Sequence, residues 1–166
     1  FNQLEDVSLD LRNNRLLNPN AFFNLTALTI SDDVRMSVTG NRFEQGGFVN
    51  VLGGLISGDF FLDVSNNDFL GPSSLNLTPG NVLGNATLLV NGNYLQDGII
   101  TAIQGPVGGE SLVSISGNTI LNAGGGGITF IGGPVTGRSS LFLDNNSIAN
   151  VSGGGITAVL GPAGAD

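Results

Sequence analysis

A chain of 166 residues is long enough for one domain, and an apolar content of 40% is too high for an acidic disordered tail. Thirteen acidic residues stand against five arginines and no lysine, giving a net charge of -8 that repels a phosphate backbone and sets nucleic-acid binding aside. No apolar run approaches the roughly 20 residues of a membrane span, the amino end lacks the basic and apolar regions of a signal peptide, and the absence of cysteine removes disulfides and thiol catalysis together.

The first predicted strand passes through Leu9 and Leu11, breaks at Asn13-Asn14 and resumes at Leu16. The same phrase returns as Met36, Val38, Gly40-Asn41 and Phe43, then as Leu62, Val64, Asn66-Asn67 and Phe69. Leu88, Val90, Gly92-Asn93 and Leu95 make the fourth copy, Val113, Ile115, Gly117-Asn118 and Ile120 the fifth, and Leu141, Leu143, Asn145-Asn146 and Ile148 the sixth. From one second Asn to the next the spacings are 27, 26, 26, 25 and 28 residues, so the period is about 26. Apolar positions two apart, followed by a polar pair, describe a strand with one face inward, a tight corner and a second inward strand. Asn and Gly enter the left-handed region at least cost, which explains why the corner takes only those two.

A second phrase runs in step with the first: Phe23-Asn24-Leu25, Val49-Asn50-Val51, Leu75-Asn76-Leu77, Ile100-Thr101-Ala102, Ile128-Thr129-Phe130 and Ile156-Thr157-Ala158. It predicts one further strand per repeat. Several short strands in each repeat, with no helical segment between them, specify a parallel β-solenoid of about six coils spanning residues 1–166 as a single all-β domain. Neighbouring coils would then lie about 4.8 Å apart. The second Asn of each pair (Asn14, Asn41, Asn67, Asn93, Asn118 and Asn146) would form a structural ladder up one corner.

The strings Ser-Ile-Ser-Gly-Asn-Thr-Ile at 114–120 and Phe-Leu-Asp-Asn-Asn-Ser-Ile at 142–148 resemble right-handed parallel β-helix repeats of the pectin-lyase-like kind. That resemblance implies a single-stranded, right-handed coil, a fold shared by polysaccharide lyases, tailspikes and many surface proteins. Glycine runs followed by Ile, at 124–128 and 153–156, are similar to autotransporter passengers and to the dispersed-gene-family surface glycoproteins of trypanosomatids.

Catalytic chemistry finds little support in the residues. Lyases and hydrolases on the resembling fold set Asp clusters beside Arg, Lys or His, whereas here Lys and His are absent and Asp10, Asp63 and Asp144 have no repeating basic partner. Asp63 and Asp68, the nearest thing to an acid and base pair, flank Asn67 and are expected to hydrate a corner. The expectation is a chain that is not an enzyme. The string Gly105-Pro106-Val107-Gly108-Gly109 is turn chemistry rather than a phosphate loop, since neither Lys nor a helix follows it.

Eight residues before each ladder Asn stand Asp6, Asp33, Asp59, Asn85, Glu110 and Arg138, and Asp166 falls where a seventh coil would begin. In the first three coils this column gathers Glu5, Asp6, Asp32, Asp33 and Asp59. It reads first as a solvated acidic edge; the cation such a cluster would take is Ca²⁺, while no organic cofactor is expected. Five acceptor patterns for N-linked sugars occur, at Asn24, Asn76, Asn85, Asn145 and Asn150, the first four in predicted outward or corner positions. In the last three coils Thr101/Ile103, Thr129/Ile131 and Thr157/Val159 form a flat outward array suited to packing against another surface, and less well to ice.

The function expected from these features is a structural or adhesive solenoid of an extracellular or cell-surface glycoprotein, with N-linked glycans and copies of itself or further coils as partners, assembling end to end. The rival is a carbohydrate-binding or carbohydrate-cleaving pectin-lyase-like domain, and ice binding comes third. The chain opens on Phe1 rather than Met and shows no capping helix at either end, which fits a processed chain or a segment of a longer rod.

Overall fold

The computed structural model describes residues 3–19 and 21–164. Among them every regular element is a strand and no helix is long and apolar enough to cross a membrane. β1 (Gln3–Leu4) precedes the first coil, which contains β2 (Val7–Arg12), β3 (Arg15–Leu16) and β4 (Ala21–Ile30). The second coil has β5 (Val34–Thr39), β6 (Arg42–Phe43) and β7 (Gly47–Ile56). The third has β8 (Phe60–Ser65), β9 (Asp68–Phe69), β10 (Ser73–Thr78) and the short β11 (Asn81–Val82). Then come β12 (Ala86–Asn91), β13 (Tyr94–Gln96) and β14 (Gly98–Gln104), followed by β15 (Ser111–Ser116), β16 (Thr119–Leu121) and β17 (Ile128–Gly132). The sixth coil ends the described chain with β18 (Ser139–Phe142), β19 (Ser147–Ala149) and β20 (Ile156–Val159).

Three parallel sheets result, one for each side of the coil. The first stacks β2, β5, β8, β12, β15 and β18, and the second β3, β6, β9, β13, β16 and β19. The third stacks β1, β4, β7, β10, β14, β17 and β20, with β11 beside β7. The protein is thus a parallel β-solenoid of about six turns with a period near 26 residues, as the repeat predicts.

Register follows the apolar columns. Leu9, Met36, Leu62, Leu88, Val113 and Leu141 pair in sequence along the first sheet, and Leu16, Phe43, Phe69, Leu95, Ile120 and Ile148 along the second. The triplet strands pair Phe23, Val49, Leu75, Ile100, Ile128 and Ile156. A slip of one residue would turn each column to solvent, so burial of the inner face fixes the register. Like residues therefore stack on like, and Phe43 lies on Phe69 with ring centroids 4.4 Å apart and planes 12° apart.

The corner adopts the predicted backbone. Asn13, Asn66 and Asn145 have φ of 55°, 56° and 54°, and Gly40, Gly92 and Gly117 have φ of 66°. These are the first residues of the six pairs, the ones that must turn left-handed so that the second Asn points inward.

One apolar column escaped the sequence reading. Leu4, Ile30, Ile56, Val82, Val107, Val135 and Ala163 are joined by successive parallel pairings, one residue per turn, on the side treated above as turn chemistry. Val107 and Val135 are buried, so the Gly-Pro-Val strings carry a single inward contact between turns and help seal the core. A single apolar residue among Gly and Pro leaves no alternation to detect.

Ser73 is a small flaw in the packing. Its side-chain oxygen is buried without a hydrogen-bond partner. Ser73→Ala is expected to stabilise the fold by about 1 kcal/mol, read as a higher urea midpoint with unchanged slope.

Candidate functional site

The inner Asn corner is a continuous hydrogen-bond ladder. The backbone N–H of Asn14 donates to Oδ1 of Asn41 at 3.0 Å, Asn41 to Asn67 at 2.9 Å, Asn67 to Asn93 at 3.0 Å, Asn93 to Asn118 at 3.0 Å and Asn118 to Asn146 at 3.0 Å. Each of those five side-chain amides donates to the same Oδ1, and from Asn41 onward each also donates to a carbonyl one coil back, as Asn93 Nδ2 does to Val64 O at 2.8 Å. Asn41, Asn67, Asn93 and Asn118 are buried, and only the end members Asn14 and Asn146 reach solvent. The column is structural, as the spacing predicts.

The acidic column is an exposed edge, as expected, and its side chains also bridge the coils. Oδ1 of Asp6 accepts the backbone N–H of Asp33 at 3.3 Å, Asp33 accepts that of Asp59 at 2.7 Å, Asp59 that of Asn85 at 2.7 Å and Asn85 that of Glu110 at 2.9 Å. These side chains stay exposed to water while one oxygen of each accepts an amide of the next coil. They form a second ladder, running opposite to the Asn corner. A glycine precedes the polar residue in the later coils for a steric reason: a Cβ on Gly84 would lie 2.4 Å from Asp59 Oδ1 and 2.7 Å from Gly58 O. Of the five residues considered for a cation, the carboxylates of Asp6, Asp32 and Asp33 lie within 4.8 Å of one another, whereas Glu5 and Asp59 stand outside that group. Amide donors already occupy an oxygen on Asp6 and Asp33, so the cluster has a structural explanation without an ion.

Because the ladder needs an acceptor oxygen rather than a charge, Asp59→Asn is expected to change stability by less than about 0.5 kcal/mol, while Asp59→Ala should cost about 1 kcal/mol by stranding two donors of Asn85. Urea titration of the two variants shows whether the column acts through its acceptor oxygens or through its charge.

A charged chain crosses the outer face of the second sheet. Glu44 Oε1 accepts from Nε of Arg15 at 2.8 Å and from Nε of Arg42 at 2.7 Å, and Arg42 Nη1 reaches Asp68 Oδ2 at 3.4 Å. Hydrogen bonds from Arg42 and Arg15, with their charges, hold the Glu44 carboxyl below its ordinary 4.5. The unfolded chain therefore takes up this proton at higher pH than the folded one. The stabilisation is present above pH 4.5 and is lost as pH falls through the lowered folded value. Melting curves between pH 6 and pH 3 should fall less steeply for Glu44→Gln than for the parent. Elsewhere Arg12 closes on Asp10, Ser65 on Asp63, and the Arg35 guanidinium lies 4.5 Å above the Phe61 ring. Asp63 and Asp68, on different sheets, are taken up by Ser65 and Arg42.

The five sugar-acceptor asparagines differ in setting. Asn24, Asn85, Asn145 and Asn150 are exposed, and Thr26 Oγ1 donates to Asn24 Oδ1 at 3.4 Å within its own acceptor pattern. Asn85 and Asn150 spend their amide nitrogens on Asp59 and Asn122. Asn76 is half-buried, and its amide nitrogen donates to Asn50 Oδ1 at 3.0 Å and Ser74 Oγ at 3.2 Å, so a sugar there would displace one of two bonds.

The outward array forms as drawn: Thr101, Thr129 and Thr157 are in register, as are Ile103, Ile131 and Val159. Ile103, Ile131 and Val159 are 38%, 40% and 51% exposed. Asp166, expected to open a seventh coil, lies outside the described residues.

No family model, no curated protein and no solved structure matches this chain; its own structure shows the parallel β-solenoid architecture of its coils.

Proposed function

We propose that this chain is a non-enzymatic structural or adhesive solenoid of an extracellular glycoprotein, extended through its end faces into a rod. The observation that carries this reading is the use of the polar groups: among the described residues the Asn ladder, the acidic column and the Arg15–Glu44–Arg42–Asp68 chain are spent on holding coil to coil. Coils of this kind bury their faces on one another, which is the construction of a rod. Within the pectin-lyase-like resemblance, this use of the charged groups supports the surface-protein reading over the lyase one.

The test is electron microscopy of the native material, paired with intact mass before and after deglycosylation. Rods lengthening by about 29 Å for each six coils, with sugar on the exposed acceptor asparagines, are expected. Dispersed particles one chain long with all five asparagines bare would overturn the proposal.

A further inference from the structure

We infer that the outward face of the third sheet packs on the same face of a second copy of this chain, about a two-fold axis parallel to the axis of the solenoid. The contact lies on a side of the coil, so it goes beyond the rod reading and does not depend on how the coils continue.

The distribution of charge selects the face. No charged residue occurs in any strand of the third sheet. The first sheet carries Asp10, Arg12, Arg35 and Asp63, and the second carries Arg15, Arg42 and Asp68. Copies of net charge -8 repel one another, and they approach at least cost where neither presents a charge. A partner with a charged surface would have to give up hydration of its ions against a face that offers no counter-charge. The surface that suits this face is therefore another uncharged and regular one, and of the three sheets only this sheet supplies it. Its apolar side chains are open to solvent in the body of the stack: Leu52, Ile103 and Ile131 are 45%, 38% and 40% exposed although each lies on a strand paired on both sides.

The register follows from the order of the outward columns. Asn50, Asn76 and Thr101 succeed one another in the middle column, with Phe48, Ser74 and Ile99 on one side of it and Leu52, Thr78 and Ile103 on the other. A two-fold axis along the solenoid sets each coil against the same coil of the second copy and exchanges the two flanking columns. Phe48 then meets Leu52, Ser74 meets Thr78 and Ile99 meets Ile103, so apolar faces apolar and polar faces polar in three successive coils. The middle column faces itself, and its amides and hydroxyls can do so because each both donates and accepts. Six coils about 4.8 Å apart, with five strand residues spanning about 17 Å, cover about 500 Å² on each copy. The total of about 1,000 Å² is where specific interfaces begin.

Sedimentation equilibrium of the purified chain tests this, in a preparation free of sugar because Asn24 and Asn76 lie in the middle column. A dimer that strengthens as salt is raised from about 0.05 M to about 0.5 M is expected, since salt screens the repulsion between copies and the contact holds no ion pair to weaken. Ile103→Asp should weaken the dimer at least tenfold. Leu112→Asp, at a residue 40% exposed on the first sheet, should leave it unchanged. Mixing the Ile103→Asp chain with an Ile99→Arg chain should restore association, because those positions face each other about this axis; an axis along the strands would give no recovery. Melting of each dilute variant checks that it folds. A chain monomeric up to about 1 mM, a dimer that Ile103→Asp leaves intact, one that Leu112→Asp weakens as much, or folded variants that do not recover on mixing would each overturn the inference. So would a monomer held by a neutral polysaccharide matrix and released by Ile103→Asp, which would give the face to that ligand instead.

Discussion

Val90→Asp or Ile115→Asp is expected to yield a chain with no cooperative melting transition. Both side chains are fully buried and adjacent in register on the first sheet, with coils on either side. An aspartate there loses the dispersion contacts of the aliphatic chain and must either carry an unpaired charge in an apolar column or hold its proton at neutral pH. Either outcome costs roughly 5 kcal/mol or more, comparable with the whole stability of a domain this size. A solenoid has few contacts beyond nearest neighbours, so a break at the fourth and fifth coils divides the stack into two short halves. Circular dichroism during heating is the measurement. A variant that melts at the parental temperature would show that these residues do not face the core.

Asn93→Ala should cost about 3–5 kcal/mol, whereas Asn14→Ala should cost less than about 1 kcal/mol. Asn93 is buried; its Oδ1 accepts from the backbone and side-chain amides of Asn67, and its own amide donates to Val64 O and Asn118 Oδ1. Truncation strands donors and acceptors on the coils to either side, where water cannot replace the lost partner. Asn14 makes the same kind of bonds at the exposed end of the ladder, where water can. Urea unfolding of the two variants compares them directly. Equal losses would mean that the ladder contributes only local turn geometry, which each corner could supply alone.

The repeat itself was legible in the sequence because the two features that make it depend on a single coil. An inward strand needs apolar residues two apart, and a left-handed corner needs Asn or Gly, so Leu9 to Leu16 and its five successors announce themselves without reference to their neighbours. The period then required that coils stack in register, and the pairing of Leu62 with Leu88 or Phe69 with Leu95 followed. The outward array from Thr101 to Val159 was legible for the same reason.

Contacts between coils that lack a periodic apolar signal were decided only by the tertiary structure. The Ile30 to Ala163 column offers one inward residue per turn, too sparse for alternation to reveal. The polar column from Asp6 to Glu110 was visible as composition, but its role depends on where the next coil's amide falls, a distance of a few ångströms that spacing along one chain does not encode. Arg15, Glu44, Arg42 and Asp68 likewise belong to three successive coils and meet only when those coils are superposed. Sequence alone determined the period, the strands and the corner, because those arise within a turn of the chain. Which side chains bridge the turns was decided by stacking, since a hydrogen bond between coils exists only once both backbones are in place.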